Sequence, residues 1–325
     1  MNGTGLGRIE TLLPAPKRVC LLAAALGWLL TAALPCVAME WERTETSLAL
    51  HDGQRVVWRF SAGPEAGKPF FHPLHMSDGT ALSDHRPADH PWHLGLWFVL
   101  PKVNHANFWG EGKDGKIWGG SKVEVARLEF SPREDFSAQI ELDLNWVSGA
   151  GDPLLMEKRT IDVSAPGAEG YSITSRHRLT APKDAVIAKN DYGGFSFRGG
   201  PALRAWRWVQ AAPVKMPDVP AFTPRGAQMQ PARWMGLVEA ATNGRARGIA
   251  ILDHPSNPRH PSQWHGIVTM PFFCPAFLAD RDFALRAGET VELRYRFLVF
   301  SGQNPTPYLE AQHAAFGQTK EESVK

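Results

Sequence analysis

The chain has 325 residues, with 35 Lys and Arg against 33 Asp and Glu, 43% hydrophobic and 21% charged residues. That balance lies in the ordinary globular range and excludes a disordered or collagen-like chain. It also excludes the basic footprint of a nucleic-acid binder.

The first element in chain order is a targeting signal. Arg8, Lys17 and Arg18 precede an uncharged run from Val19 to Leu34, 16 residues long, and Ala38 follows as a small residue. This is the order of a secretory signal peptide, and the run falls short of the ~20 apolar residues that a spanning helix needs. The expectation is a signal peptide over 1–38 and a single domain over 39–325, exported to the periplasm or the extracellular space, with no stable membrane insertion after cleavage. Pro35 suits lipid attachment at Cys36 poorly. Loss of Arg8, Glu10, Lys17 and Arg18 leaves a formally neutral chain, and loss of Cys20 and Cys36 leaves Cys274 alone. With no internal disulfide available, stability has to come from a buried core.

Period-two alternation dominates the rest of the chain. In Ala138 to Val147, Ile140, Leu142, Leu144 and Trp146 share one face while Gln139, Glu141, Asp143 and Asn145 share the other, which predicts a half-buried antiparallel strand. Val291, Leu293, Tyr295, Phe297 and Val299 repeat the pattern after the turn at Ala287-Gly288-Glu289. Shorter strands are expected over 55–60, 95–100, 123–130, 157–163, 171–179 and 248–253, each bounded by Gly, Pro, Asp or Asn. Residues 211–233, with five prolines, read as a long excursion of lid or rim type. A C-terminal helix is expected from Pro307 to Phe316, with Thr306 as its cap. The fold class is therefore all-β, a large antiparallel two-sheet β-sandwich of the supersandwich or galactose-mutarotase-like kind, with a short C-terminal helix.

Eight of the 12 histidines fall in two windows, 72–93 and 254–265. Imidazole titrates near neutrality and ligates metals readily, so such crowding points to a site. Pro87 and Pro91 forbid a helix around His90 and His93, which places both imidazoles on a turning segment at the end of the 95–100 strand. Asp89 can orient either ring. The second window, Asp253-His254-Pro-Ser-Asn257-Pro-Arg259-His260-Pro-Ser-Gln-Trp264-His265, has the same proline-locked grammar. If the windows meet, His90 and His93 are the acid–base pair, completed or oriented by Asp89, His72, His254 and His265. Arg198, Asn104, Trp109, Asp253, Asn257, Arg259, His260 and Trp264 would then bind substrate, the guanidinium groups by fork geometry and the tryptophans by stacking. That mixture suits acid–base work on a polar, hydroxyl-bearing substrate.

For any one of these histidines the competing reading is ordinary packing in a loop. No certain cofactor emerges. The spacing His90-x-x-His93 plus a distant histidine leaves room for a divalent metal, although it matches no helix-borne motif. No nucleophile elbow, phosphate loop or dinucleotide fingerprint is present, and Cys274 between Phe273 and Pro275 reads as a small buried hydrophobe. Glu111, Glu157 and Glu239 remain as carboxylates without an assigned partner.

The segments Lys68-Pro-Phe-Phe-His72-Pro-Leu, Pro-Ala-Asp89-His90-Pro-Trp-His93-Leu-Gly-Leu-Trp97-Phe, Val-Asn104-His-Ala-Asn-Phe-Trp109, Asp253-His254-Pro-Ser-Asn257-Pro-Arg259-His260-Pro and Gly288-Glu-Thr-Val-Glu-Leu-Arg-Tyr-Arg together resemble bacterial proteins called "methane oxygenase PmoA-like". They run in that family's order from about residue 42 to 302, with Trp92 standing where the pattern often has another histidine. A methane oxygenase subunit needs several membrane-spanning helices and this chain has none to offer. What the resemblance implies is an exported β-sandwich of glycan-degrading bacteria. The resulting expectation is a hydrolase or lyase acting on a carbohydrate or glycoside. Its rivals are a non-catalytic glycan-binding protein and a metal-dependent enzyme of another substrate class.

Overall fold

The alternation predicted for Ala138–Val147 is realised residue for residue: Ile140, Leu142, Leu144 and Trp146 are buried and their neighbours are half exposed. The computed structural model describes residues 39–64, 67–112, 116–211, 227–229, 231–240, 243–267 and 270–319. The segment read as a signal, 1–38, and most of the 211–233 excursion lie outside them. Residues Val37–Lys325 form one compact unit.

Two large sheets carry the fold. The first has eight strands in the order Arg207–Gln210, Trp234–Ala240, Ala246–Asp253, Thr290–Gln303, Gly170–Thr180, Pro153–Val163, Ala138–Val147 and Lys122–Pro132. The second has nine: Met39–Arg43, Ser47–Asp52, Arg55–Ser61, Phe70–Leu74, Leu96–Val99, Gly194–Arg198, Phe272–Pro275, Trp264–Ile267 and Ala227–Met229. Every pairing within these two sheets is antiparallel. A small four-stranded sheet, Phe283–Leu285, Ala185–Ile187, Lys102–Val103 and Ala106–Asn107, sits beside them.

The sheets pack through aromatic rings. Phe98 of the nine-stranded sheet lies against Trp146 and His177 of the other, Phe195 stacks on Tyr295, and Phe197 packs on Phe297. Burial of each such ring contributes about 2–3 kcal/mol, and the chain is an all-β antiparallel sandwich, as expected. Within this interface Glu157, Arg159 and His177 form a sealed ionic knot. Glu157 receives Trp146 Nε1 at 2.9 Å and Arg159 Nε at 2.7 Å, while His177 Nδ1 lies 2.8 Å from its Oε1.

The C-terminal helix runs over Pro305–Gly317, two residues earlier than expected. Asn304 is its N-cap and Pro305 takes the first turn, so Thr306 is inside the helix and does not cap it. The signal that misled is the second proline, Pro307, which the first turn tolerates equally well.

Candidate functional site

The central strands of the nine-stranded sheet, Leu96–Val99, Gly194–Arg198 and Phe272–Pro275, are buried at every residue, so both of their faces are covered. Residues directly opposite in an antiparallel pair share a face. Trp97 opposes Phe70 and Ser196, Arg198 opposes Phe272, and Cys274 opposes His265. These side chains, with His72 two residues beyond Phe70, point away from the core, since Phe98, Phe195 and Phe197 point into it. The histidine-rich segment is therefore laid across the outer face of the sheet, a correction to its expected position on a strand-end rim.

Two consecutive turns build that segment. Prolines 87 and 91 bar a helix, and His90 N donates to Pro87 O at 3.0 Å, His93 N to His90 O at 3.0 Å and Arg86 N to His93 O at 2.7 Å. Gly95 closes it at φ +85°, where a Cβ would come within 2.4 Å of Phe71 O. The result stacks the His90 and His93 rings with centroids 4.6 Å apart and lays His93 on Phe272 at 4.7 Å.

Charged groups pin this strap at both ends. Arg198 is 1% exposed, and its Nη2 reaches both oxygens of Asp89 at 2.9 Å. Its Nη1 lies 3.5 Å from His93 Nδ1. Burial raises the Asp89 carboxyl, but the hydrogen bond and charge of Arg198 outweigh that and hold it below its ordinary value. His90 Nδ1 is 3.4 Å from Asp89 Oδ2, an ion-pair distance without hydrogen-bond geometry. At the other end Lys68 and Arg86 both bind the buried Glu111, at 2.7 and 2.8 Å. Arg86 Nη1 also donates to Pro91 O and Gly112 O, at 3.3 and 3.1 Å. Burial pushes the Lys68 amine down and the Glu111 carboxyl up, each opposed by the other's charge.

His93 is 2% exposed, and burial, reinforced by the positive fields of His90 and Arg198, pushes its pKa down to about 2. It is a neutral ring at any working pH, able to exchange hydrogen bonds but not to take up a proton. The His90 side chain, by contrast, is 30% exposed and that of Asp89 47% exposed. An imidazole with an adjacent carboxylate at the surface is the arrangement that moves protons.

Aromatic groups form a shelf beside it. Trp92 lies edge-on to His90 at 5.3 Å and to Trp118 at 5.1 Å, and Trp118 is 53% exposed. Trp118 lies flat on the chain because residue 110 is glycine: a Cβ there would stand 2.3 Å from Trp118 Cε3. Behind the shelf Trp109 meets His93 at 5.8 Å and Tyr192 at 4.6 Å, and Tyr192 leads on to His265 at 5.8 Å. The exposed, electron-rich face of Trp118 beside this imidazole–carboxylate pair fits the C–H face of a hydroxylated ring.

The patch thus gathers His90, His93, Asp89, Arg198, Trp109 and, through Tyr192 and Phe272, His265. His72 lies on the same sheet face, hydrogen-bonded to Ser83 Oγ at 2.8 Å and stacked on His85 at 5.2 Å. Burial pushes its pKa down to about 4. The rest of the second window takes no part in these contacts. Asp253 is fully buried and binds Asn257 Nδ2 at 2.7 Å, Ser262 N at 2.8 Å and His260 Nδ1 at 2.9 Å. His254 is 4% exposed and packs on Phe316 of the C-terminal helix. Arg259, held at φ +64°, donates to the carbonyls of Phe277, Arg281 and Asp282. These residues clamp the helix and a loop, so of the second window only His265 reaches the patch, through Tyr192 and Phe272. Trp264 faces the core and donates to Ala232 O, and Asn104 pins a turn by bonds to Asp184 O and Val186 N.

Sequence reasoning overlooked Lys68, Arg86, Trp118 and Phe272 and left Glu111 without a role. A lysine and a glutamate buried 43 residues apart carry no local signal, but Trp118 after Lys116-Ile117 and before Gly119-Gly120 does: an aromatic at a glycine-rich turn is exposed. A cavity of about 690 Å³ opens along the Lys122–Leu128 edge, with Lys68, Pro69 and Ile117 in its wall and no histidine. Among the described residues no group of three or more His, Cys, Asp or Glu side chains is arranged to hold a metal ion. No helix among them is long and apolar enough to cross a membrane.

The family model that matches this chain is a family of unknown function, DUF6807, over residues 47–314, and the chain belongs to that family. The resemblance to PmoA-like proteins is corrected accordingly: the match is to a family without an assigned activity. No curated protein matches. Among solved structures, a candidate kojibiose phosphorylase from the human microbiome is similar at 7% identity and TM-score 0.33 over 81% of this chain, which spans about a third of that protein, 32%. A candidate aldose 1-epimerase from Klebsiella pneumoniae subsp. pneumoniae is similar at 11% identity and TM-score 0.40, over 85% of this chain and 84% of its own. Likeness this remote transfers no activity, and the chemistry has to be argued from the patch itself.

Proposed function

We propose that the outer-face patch is the active site of a carbohydrate-active enzyme of hydrolase or lyase type, in which His90 transfers the proton. The observation that carries this reading is the adjacency of the exposed His90–Asp89 pair to the Trp92–Trp118 shelf. In this scheme a sugar ring lies on Trp118, with Trp92 at its edge. His90 gives or takes a proton at the scissile bond with Asp89 stabilising its charged form, and neutral His93 holds the His90 ring in place by stacking. Lys68, Glu111 and Arg86 act at a distance, by fixing the strap. We propose further, from the N-terminal signal pattern alone, that the protein acts outside the cytoplasm.

The test is turnover of a panel of plant and algal oligosaccharides, followed by reducing-end release for hydrolysis and ultraviolet absorption of an unsaturated product for elimination. A responsive substrate should lose at least about a hundredfold in kcat with His90→Gln, the range of a lost general acid or base. Undiminished kcat refutes the assignment. Burial of His93 supports a second reading, since that imidazole is sealed off from any substrate: a glycan-binding protein without turnover. Saturable binding to a glycan array with no product formed would decide for it.

A further inference from the structure

The polar atoms beneath the strap constrain what the saccharide carries. Arg198 Nε and Trp97 Nε1 are buried N–H groups that find no acceptor among the described residues. Both side chains are on the outer sheet face, in adjacent strands, and both flank His93: Arg198 at 3.5 Å, Trp97 with ring centroids 5.4 Å apart. Asp89 does not use the guanidinium well. Both of its oxygens crowd the single nitrogen Nη2, so the two-pronged Nε–Nη edge, which suits a carboxylate best, is left half engaged. Arg198 is sealed, whereas Asp89 is 47% exposed and belongs to a turn.

We infer that this is a carboxylate-binding subsite and that the saccharide taken here is acidic, a uronic-acid-type sugar whose carboxylate replaces Asp89 on the Nε–Nη edge of Arg198. The inference rests on the saccharide reading above. Lifting Asp89 away with nothing in its place would strand a buried cation, which is strongly unfavourable, so the ligand that opens the strap must itself bring an anion. A neutral sugar cannot. Asp89 already lies 3.4 Å from His90 Nδ1, so a carboxylate released from Arg198 is beside the imidazole it serves in the proton-transfer pair.

Calorimetric titration of glucuronate- and galacturonate-containing oligosaccharides against their glucose and galactose counterparts tests this in the full chain. The acidic sugars should bind at least about tenfold more tightly. Asp89→Asn, near-isosteric, should tighten acidic sugars several-fold by removing the competitor, leave neutral ones unchanged, and lower kcat. Arg198→Lys should erase the acidic preference; if that buried replacement fails to fold, the comparison of acidic with neutral sugars on the unaltered protein decides alone. Equal affinity for acidic and neutral sugars, or parallel weakening of both by Asp89→Asn, overturns the carboxylate subsite while leaving the saccharide reading intact. Binding of neither sugar class overturns both.

Discussion

His90 and His93 lie face to face at 4.6 Å with 24° between their planes, yet burial divides them into one surface group and one core group. The ring of His93 is clamped by Phe272, Trp97 and Trp109, and its pKa of about 2 leaves it neutral. Its imidazole resonances should therefore not titrate between about pH 5 and 8, where free histidine does. Replacement by alanine should cost about 3 kcal/mol of stability through the cavity it opens. A titrating His93, followed by NMR with His90→Gln removing the neighbour's signal, would contradict this division of labour.

Gly110 supports Trp118 by having no side chain. Its backbone needs no positive φ, so Gly110→Ala should fold, but the added methyl group collides with Cε3 of Trp118 and pushes the ring off its seat. The expected outcome is a glycan affinity reduced about tenfold, the loss of roughly one stacking contact, with an unfolding midpoint near that of the parent. Trp118→Ala should reproduce the loss. Wild-type affinity in both variants would remove the shelf from the binding surface.

How much of this was readable beforehand depends on which faces are buried. Ala138–Val147 and Thr290–Gln303 have one face in the core and one in water, so their alternation is plain in the letters. Leu96–Val99 and Phe272–Pro275 are covered on both faces, and Leu-Trp-Phe-Val or Phe-Phe-Cys-Pro shows no period from which to tell inner from outer. The parity that aligns Arg198 with Phe272 and Trp97 exists only once strands pair, and the Lys68–Glu111 bond only once two loops fold over them. Histidine crowding was legible; its cause was not uniform. One window lies across the sheet, while the other owes its residues to a buried aspartate and a helix to be held.

Asp253 should accordingly behave as a structural residue. Its carboxylate ties Asn257, His260 and Ser262 together, and the carbonyl of the same residue lies 3.0 Å from His313 Nε2 in the C-terminal helix. Asp253→Ala leaves buried donors unsatisfied and should destabilise the protein by about 3 kcal/mol, read from urea unfolding. Below the shifted midpoint, kcat and KM on a responsive glycan should stay at wild-type values. A selective loss of turnover in folded Asp253→Ala would return the second window to the site.

Acid should unfold this protein early, and the reason lies in its buried imidazoles. Burial holds His72, His177 and His254 down to about 4 and His93 to about 2, against an ordinary 6.5. As pH falls below about 6.5 the unfolded chain takes up protons that the folded chain refuses, so stability declines with falling pH and is highest above that value. Glu157 adds to the loss at lower pH. Its burial raises the carboxyl, but the Arg159 charge and the His177 bond outweigh that and bring it to about 2, so the stability it lends is present above its ordinary 4.5 and vanishes as pH drops through that window. Urea unfolding measured from pH 7 to pH 4 should show a steep fall in free energy, and His177→Gln should flatten it by about one proton taken up on unfolding. The absolute stability of that variant is a poor guide, since glutamine disturbs the Ser175–His177–Glu157 bonds; the slope is the measure, and a slope unchanged by the substitution would show that His177 titrates alike in both states.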